Sequence, residues 1–246
     1  MTTTLDSPAT AEAPTRTRRK SLLRKLVTSR EMGVALVLIL VIAITKLTNP
    51  AFLVSGEGFS DLLVTPSMVL VVVLGQAVVI ITRSVDLSVG SILGLTAYLV
   101  GTVFVAAPNL PIPLIFLIGC VFGGLLGFIN GALVAFGKVP AMVITLGTLY
   151  AFRGINVWWT GSNRINASDL PSGFLRLGTQ QILGIPVLTI IAIVTLICVA
   201  WYLHNTRGGR EFYAIGSDPE AAELYGLNKT RRVLTAFVFS GVMSGL

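Results

Sequence analysis

The chain is 246 residues long, 54% hydrophobic and only 12% charged, with a formal charge of +7 and a mean hydropathy of +0.85. Soluble domains carry about 25% charged residues, so this composition excludes an ordinary water-soluble protein. Seven of the 18 Lys and Arg lie in the first 30 residues (Arg16, Arg18, Arg19, Lys20, Arg24, Lys25 and Arg30), and Arg207, Arg210, Lys229, Arg231 and Arg232 flank a polar stretch at 204–232. Basic residues clustered beside apolar runs mark the cytoplasmic side of a membrane; no nucleic-acid partner is expected from them.

Residues 1–30 are rich in Thr, Ala, Pro and Arg. They hold too little apolar surface to fold, and read as a disordered basic cytoplasmic tail. A secretory signal fits less well, because the apolar run starts late and no small-residue cleavage site follows it.

Residues 31–246 form the transmembrane domain. Six runs approach the ~20 residues needed to cross hydrocarbon: 32–48, 62–82, 87–107, 113–136, 139–157 and 185–203. A seventh starts at Val233 and reaches Leu246 with only about 14 residues, fewer than a crossing takes, so a C-terminally incomplete chain is expected. The expected fold is an all-α, polytopic transmembrane helical bundle. With the N-terminus inside, six crossings return the chain inside at 204–232, where the basic residues lie. Residues 153–184 then form an external loop with Trp158 and Trp159 near the interface. Val139–Phe152 is short and interrupted by Thr145, Gly147 and Thr148, so a re-entrant or broken helix is an alternative there.

The fourth run carries Gly119, Gly123, Gly127 and Gly131 at four-residue spacing. This spacing lays a groove of small residues along one helix face, suited to close backbone approach within the chain or, alternatively, between two copies.

The polar stretch 204–232 reads as a short helix without a core. Ser217 or Asp218 can cap its first amides, Pro219 fits the first turn, and Gly226 supplies a left-handed stop. About two turns lie between, below the roughly 12–15 residues that are marginal alone in water. A partner must hold it, so it reads as a docking element.

Thr82-Arg83-Ser84-Val85-Asp86-Leu87-Ser88-Val89-Gly90-Ser91 places polar groups between two runs with almost no loop. It is either a tight turn or a broken helix. A charge at the bilayer centre costs about 2.5–3.5 kcal/mol on insertion scales, so Asp86 should be paired or line a wet cavity. A helical turn would put Arg83 beside it. Asp86, Ser88 and Ser91 can also simply cap the third run; the functional alternative is a turn bordering a transport path or gate. Gln76, Asn130, Thr145 and Thr148 are the other polar groups at depth, able to bond a hydroxylated solute or another helix.

Several chemistries have no residues to run on. The one Gly-Lys pair, Gly137-Lys138, precedes Val139, so there is no phosphate loop. Neither a Gly-x-Ser-x-Gly elbow nor His-Glu-x-x-His occurs. No catalytic residue and no cofactor is expected. A metal site is not expected either: His204 is the only histidine, and Cys120 and Cys198 fall in apolar runs as small buried hydrophobes.

Three blocks resemble a known family. They are Ser84-Val-Asp-Leu-Ser-Val-Gly-Ser91; Ile129-Asn-Gly-Ala-Leu-Val134 with Val139-Pro-Ala-Met-Val-Ile-Thr-Leu-Gly-Thr148 and Arg153-Gly154; and Gly209-Arg210, Tyr213-Ala-Ile-Gly216 and Glu220-Ala-Ala-x-x-x-Gly226. In this order, over roughly residues 30 to 246, the chain resembles permease subunits of bacterial sugar-import ABC transporters, of the ribose, xylose, rhamnose and autoinducer-2 type. The first block has Ser84 and Val85 where the family more usually has Gly and Ile. The resemblance implies an inner-membrane permease paired with a second permease, an ABC ATPase and a periplasmic sugar-binding protein. It also implies a coupling helix in which Glu220, Ala221, Ala222 and Gly226 contact the ATPase, the alanines allowing close docking. About ten spans are usual in that family, so some three would be missing here. The alternatives are an ion-coupled secondary carrier using Asp86, and a non-functional truncated permease.

Overall fold

The structure is a computed structural model that describes residues 30–49, 56–137, 139–161 and 163–246. The basic tail expected at 1–29 lies outside these residues. Two compact units divide the chain, residues 1–58 and 59–246.

In the first unit, α1 (Arg30–Thr48) is apolar nearly all round, the pattern of a helix that faces lipid or a core on every side. Thr45 and Thr48 donate their hydroxyls to the carbonyls of Val41 and Ile44, one turn earlier. These bonds keep both hydroxyls satisfied without water.

The second unit holds the body of α2 (Gly56–Ile81), then α3 (Val89–Ala106), α4 (Ile112–Gly137) and α5 (Ala141–Thr160). A single 3₁₀ turn (Ala167–Asp169), α6 (Ser172–Thr179) and a two-residue hairpin, β1 (Gln181–Ile182) with β2 (Ile185–Pro186), follow. The hairpin is a small β addition to the expected all-α fold, closed by Leu183 and Gly184, both at positive φ. Next come α7 (Val187–Asn205), α8 (Arg207–Ser217), α9 (Pro219–Leu224) and α10 (Lys229–Gly245).

Each of the seven expected apolar runs is helical over most of its length. Among the described residues, four helical stretches are long and apolar enough to cross a membrane: Leu62–Ile81, Val89–Ala106, Ile112–Gly137 and Val187–Asn205. The chain is therefore a multi-pass helical membrane protein. Met32–Thr48 is a shorter apolar helix. Residues 141–160 form one continuous helix, not the broken helix of the alternative. Arg153 and Asn156 interrupt its apolar surface, and it extends past the expected end at 157 to Thr160.

The glycine groove of α4 meets α10, and this pair shares the most extensive contact in the fold. A Cβ on Gly123 would strike the carbonyl oxygen of Gly241, and one on Gly127 that of Phe237. Gly241 and Gly245 return the fit against the carbonyls of Gly123 and Gly119. The groove thus packs within the chain, backbone on backbone, while Val121, Leu125 and Phe128 on the other side of α4 stay exposed.

Two side-chain clusters complete the interior. One joins Leu74, Val78 and Val79 of α2 to Val199 and Leu203 of α7, Phe212 of α8, and Val233, Ala236 and Phe237 of α10. The other joins Ile92 and Leu95 of α3 to Leu126 of α4 and Phe152 of α5. A buried bond from Ser67 to Thr189 (2.9 Å) ties α2 to α7, one residue after Pro66 interrupts the α2 ladder. Cys120 and Cys198 are free thiols; Cys198 is exposed rather than buried, on a face of α7 shared with Val194, Ile197 and Trp201.

Candidate functional site

The polar insert contains two helices where the sequence suggests one. Thr206 caps α8 by accepting from the Gly209 amide (3.0 Å). Gly209, Phe212 and Ile215 then fall three residues apart and bury one face. Phe212 enters the core shared by α2, α7 and α10, so the insert is anchored by this chain's own apolar residues.

Charges fix the same helix sideways. Glu211 accepts from Arg207 Nε (3.0 Å) one turn earlier and from Arg232 Nε (2.5 Å) at the start of α10. Arg232 also stacks over the Phe212 ring at 5.8 Å. Burial works to raise the Glu211 carboxyl, but the two guanidinium groups, Arg232 first, outweigh it and hold the carboxyl below its ordinary value.

α9 follows after one residue. Asp218 Oδ1 accepts the amides of Glu220 and Ala221, each at 3.0 Å, and Pro219 takes the first helical position. Gly226, at φ 79°, ends the helix, with the Leu227 amide returning to the Ala222 carbonyl (3.0 Å). Of the residues expected to meet a partner, Glu220 and Gly226 are exposed and Ala221 is half-buried, while Ala222 is buried against this chain. The outward apolar surface is instead Leu224 and Tyr225, at 90% and 87% exposure. Reading the motif alone missed this pair, since six helical residues are too few for a periodic pattern to reveal a face.

The segment after α2 is a tight turn. Arg83 has φ 58°, a left-handed conformation uncommon for a residue with a Cβ. The helical pairing of Arg83 with Asp86 is therefore not formed. Its guanidinium reaches the insert, donating from Nε to the Gly216 carbonyl and from Nη2 to the Ser217 carbonyl, both at 2.6 Å. Gly216 packs so closely on the end of α2 that a Cβ there would collide with the Ile81 carbonyl oxygen.

Asp86 is 3% exposed and is satisfied by hydroxyls and an amide. Its Oδ1 accepts from the Ser88 amide (3.0 Å) and hydroxyl (2.6 Å), and its Oδ2 from the Ser240 hydroxyl (3.4 Å). Asn130 donates to Ser88 Oγ (2.6 Å), Gln76 to the Asp86 carbonyl (2.9 Å), and Thr145 to the Val85 carbonyl (3.2 Å). Ser91 donates back to the Ser88 carbonyl (2.7 Å). One turn therefore gathers Gln76, Asp86, Ser88, Ser91, Asn130 and Thr145 from four helices and their junction. Thr148 stays apart, bonded to Thr145 of its own helix. Ser88 is the N-cap residue of α3, but its side chain makes no cap bond; Asp86 holds its amide instead. Ser240, in the last helix, was not singled out by its sequence context.

None of these groups lines either of the two described cavities. One, of about 480 Å³, is walled mainly by apolar residues of α2, α3, α6 and α7 together with the end of α10. The other, of about 460 Å³, lies among Tyr98, Asn156, Thr160, Asn163, Arg164 and Asn166. Among the described residues no three His, Cys, Asp or Glu side chains group as a metal site would require.

Comparison with known proteins gives this arrangement a family. The autoinducer 2 import system permease protein LsrC of Enterobacter sp. (strain 638) is 33% identical over 222 residues, covering 90% of this chain and 63% of that protein. LsrC of Escherichia coli (strain K12 / DH10B) is 32% identical over 225 residues, or 92% and 64%. LsrC of Salmonella paratyphi B is 37% identical over 179 residues, or 73% and 51%. The chain thus spans less than two thirds of the length of these relatives. No solved structure matches. Residues 58–246, which include both the polar turn and the insert, match the family described as "Branched-chain amino acid transport system / permease component", and the chain belongs to that family.

Proposed function

We propose that this chain is the membrane-spanning permease subunit of an ATP-driven importer for a monosaccharide or related small sugar, and that α8 and α9 form its coupling element for a separate ATPase. The observation that carries the reading is the exposed Leu224–Tyr225 pair at the end of α9. Two large apolar side chains at the tip of a short helix, capped by Asp218 and stopped by Gly226, make an anchor for a partner cleft. Phe212, buried in the core shared with α2, α7 and α10, and the Glu211–Arg232 pair tie α8 to this chain. A second permease and a periplasmic sugar-binding protein complete the importer. The protein resides in a bacterial inner membrane with its N-terminus and the insert in the cytoplasm, in keeping with the basic residues around 204–232. The sugar class draws support from the named relatives and from the resemblance in the three sequence blocks, whereas the family's description refers to amino acids.

The test is co-purification and transport in the assembled importer. Leu224→Asp combined with Tyr225→Asp should leave membrane insertion intact, abolish ATPase co-purification and stop uptake. Full retention of the ATPase would overturn the docking role. Uptake should also survive collapse of the proton gradient and cease when the ATPase is inactivated; the reverse pattern would establish an ion-coupled carrier instead.

A further inference from the structure

We propose that Arg83 is a positioning residue that carries displacement of the ATPase-docking helix α9 into the polar turn at 82–91. The proposal rests on the reading of α9 as the ATPase contact, and adds the route by which that contact reaches the membrane interior.

The geometry is that of a strut with two fixed ends. At one end, a guanidinium fork spans the carbonyls of Gly216 and Ser217, the last two residues of α8, immediately before the Asp218 cap of α9. A cation on the carbonyl end of a helix is favourable, and two charge-assisted bonds fix direction as well as distance. Lysine, with a single ammonium, cannot reproduce the fork. At the other end, the Arg83 backbone is left-handed, so the turn departs from the end of α2 in one defined direction.

The turn is pinned on its inner side. Thr145 of α5 holds the Val85 carbonyl, Gln76 of α2 the Asp86 carbonyl, Ser240 of α10 the Asp86 carboxyl, and Asn130 of α4 the Ser88 hydroxyl. A shift of the α8–α9 elbow transmitted by Arg83 therefore arrives where α2 ends, α3 begins and three other helices are bonded. The Glu211–Arg232 pair ties α8 to α10 but makes no bond to this turn.

The test compares Arg83→Ala and Arg83→Lys in the complete importer reconstituted in liposomes. Three quantities are read: ATPase bound, ATP hydrolysed, and solute moved per ATP. With Arg83→Ala, bound ATPase should stay at the parental level while solute moved per ATP falls about tenfold or more, within the usual span of coupling between sites. Arg83→Lys should fall between Arg83→Ala and the parent. Unchanged solute per ATP in Arg83→Ala overturns the proposal. So does a parallel fall of bound ATPase, hydrolysis and transport, which is what a merely structural residue would give. If Arg83→Ala does not accumulate in the membrane, Arg83→Lys decides: reduced solute per ATP with ATPase bound supports the strut, and parental coupling overturns it. Retention of the ATPase by the Leu224 and Tyr225 double variant would instead remove the docking reading itself, whatever Arg83 does.

Discussion

The α4–α10 seam and the α8–α9 insert solve opposite problems with opposite materials. In the seam, Gly119, Gly123, Gly127 and Gly131 let one backbone lie against Gly241 and Gly245 of the other, so that almost nothing there can change rotamer. The insert is joined to the rest by one buried ring, Phe212, by a charged triad around Glu211, and by the Arg83 fork. Apolar side chains gain little from leaving lipid, so in the membrane close backbone contact must serve instead. In the polar insert, charges and caps are available and each bond can be made or broken separately. The seam reads as the rigid body and the insert as the movable handle.

The sharpest way to break this contrast is to add volume to the seam. Gly123→Val should prevent accumulation of folded protein, since the new atoms meet the Gly241 backbone, which has no rotamer to yield; overpacking a core typically costs about 1–3 kcal/mol and more where backbone blocks relief. Detergent-solubilised yield and thermal stability measure it. Gly147→Ala, with no neighbour near its Cβ position, should be neutral or slightly stabilising in the same assay. Equal losses at both positions would erase the distinction.

Phe212→Ala should come next, costing about 3–5 kcal/mol at the insert's anchor. Its signature is regional: faster hydrogen exchange in 207–217 with the α4–α10 seam still protected.

Acid should loosen the insert and spare the seam. The Glu211 carboxyl is held below its ordinary value, so its contribution to stability is complete above the ordinary carboxylate range and is lost as pH falls through the depressed value. Hydrogen exchange of 207–217 should therefore accelerate toward low pH, and Glu211→Gln should abolish that dependence. A seam that loosens together with the insert would contradict the separation. The smallest effect is expected at the cap, where Asp218→Ala should cost about 1 kcal/mol, read as fraying of α9.

Local signals were legible in the chain. The Asp218–Pro219 start and the Gly226 stop of α9 follow from capping chemistry that involves only neighbours in sequence, and the four-residue glycine spacing of α4 follows from helix geometry. The partner of that groove was not legible, because small-residue spacing is the same whether a helix packs within its own chain or on a copy. α8 escaped because Gly208 and Gly209 open it with residues that disfavour helix, while its buried face consists of only Gly209, Phe212 and Ile215. Asp86 finds hydroxyl and amide partners rather than a charged one or a cavity, and Ser240 among them lies 154 residues away, with neighbours that look like any membrane helix. A helical turn would bring Arg83 beside Asp86, the nearest acid in sequence, whereas its left-handed backbone turns it to two carbonyls of the insert. Bonds to backbone carbonyls leave no side-chain signature, so no pattern of residue types announces them.

The central claim is that the tip of α9 sits in an ATPase subunit. It is tested most directly by placing a photo-cross-linking amino acid at position 225 of the chain, in membranes containing the whole importer, and identifying what it captures. A covalent adduct to the ATPase, lost when the probe is moved to the buried position 222, is the predicted result. Capture of lipid or of the binding protein alone, with the ATPase present and active, would contradict the account.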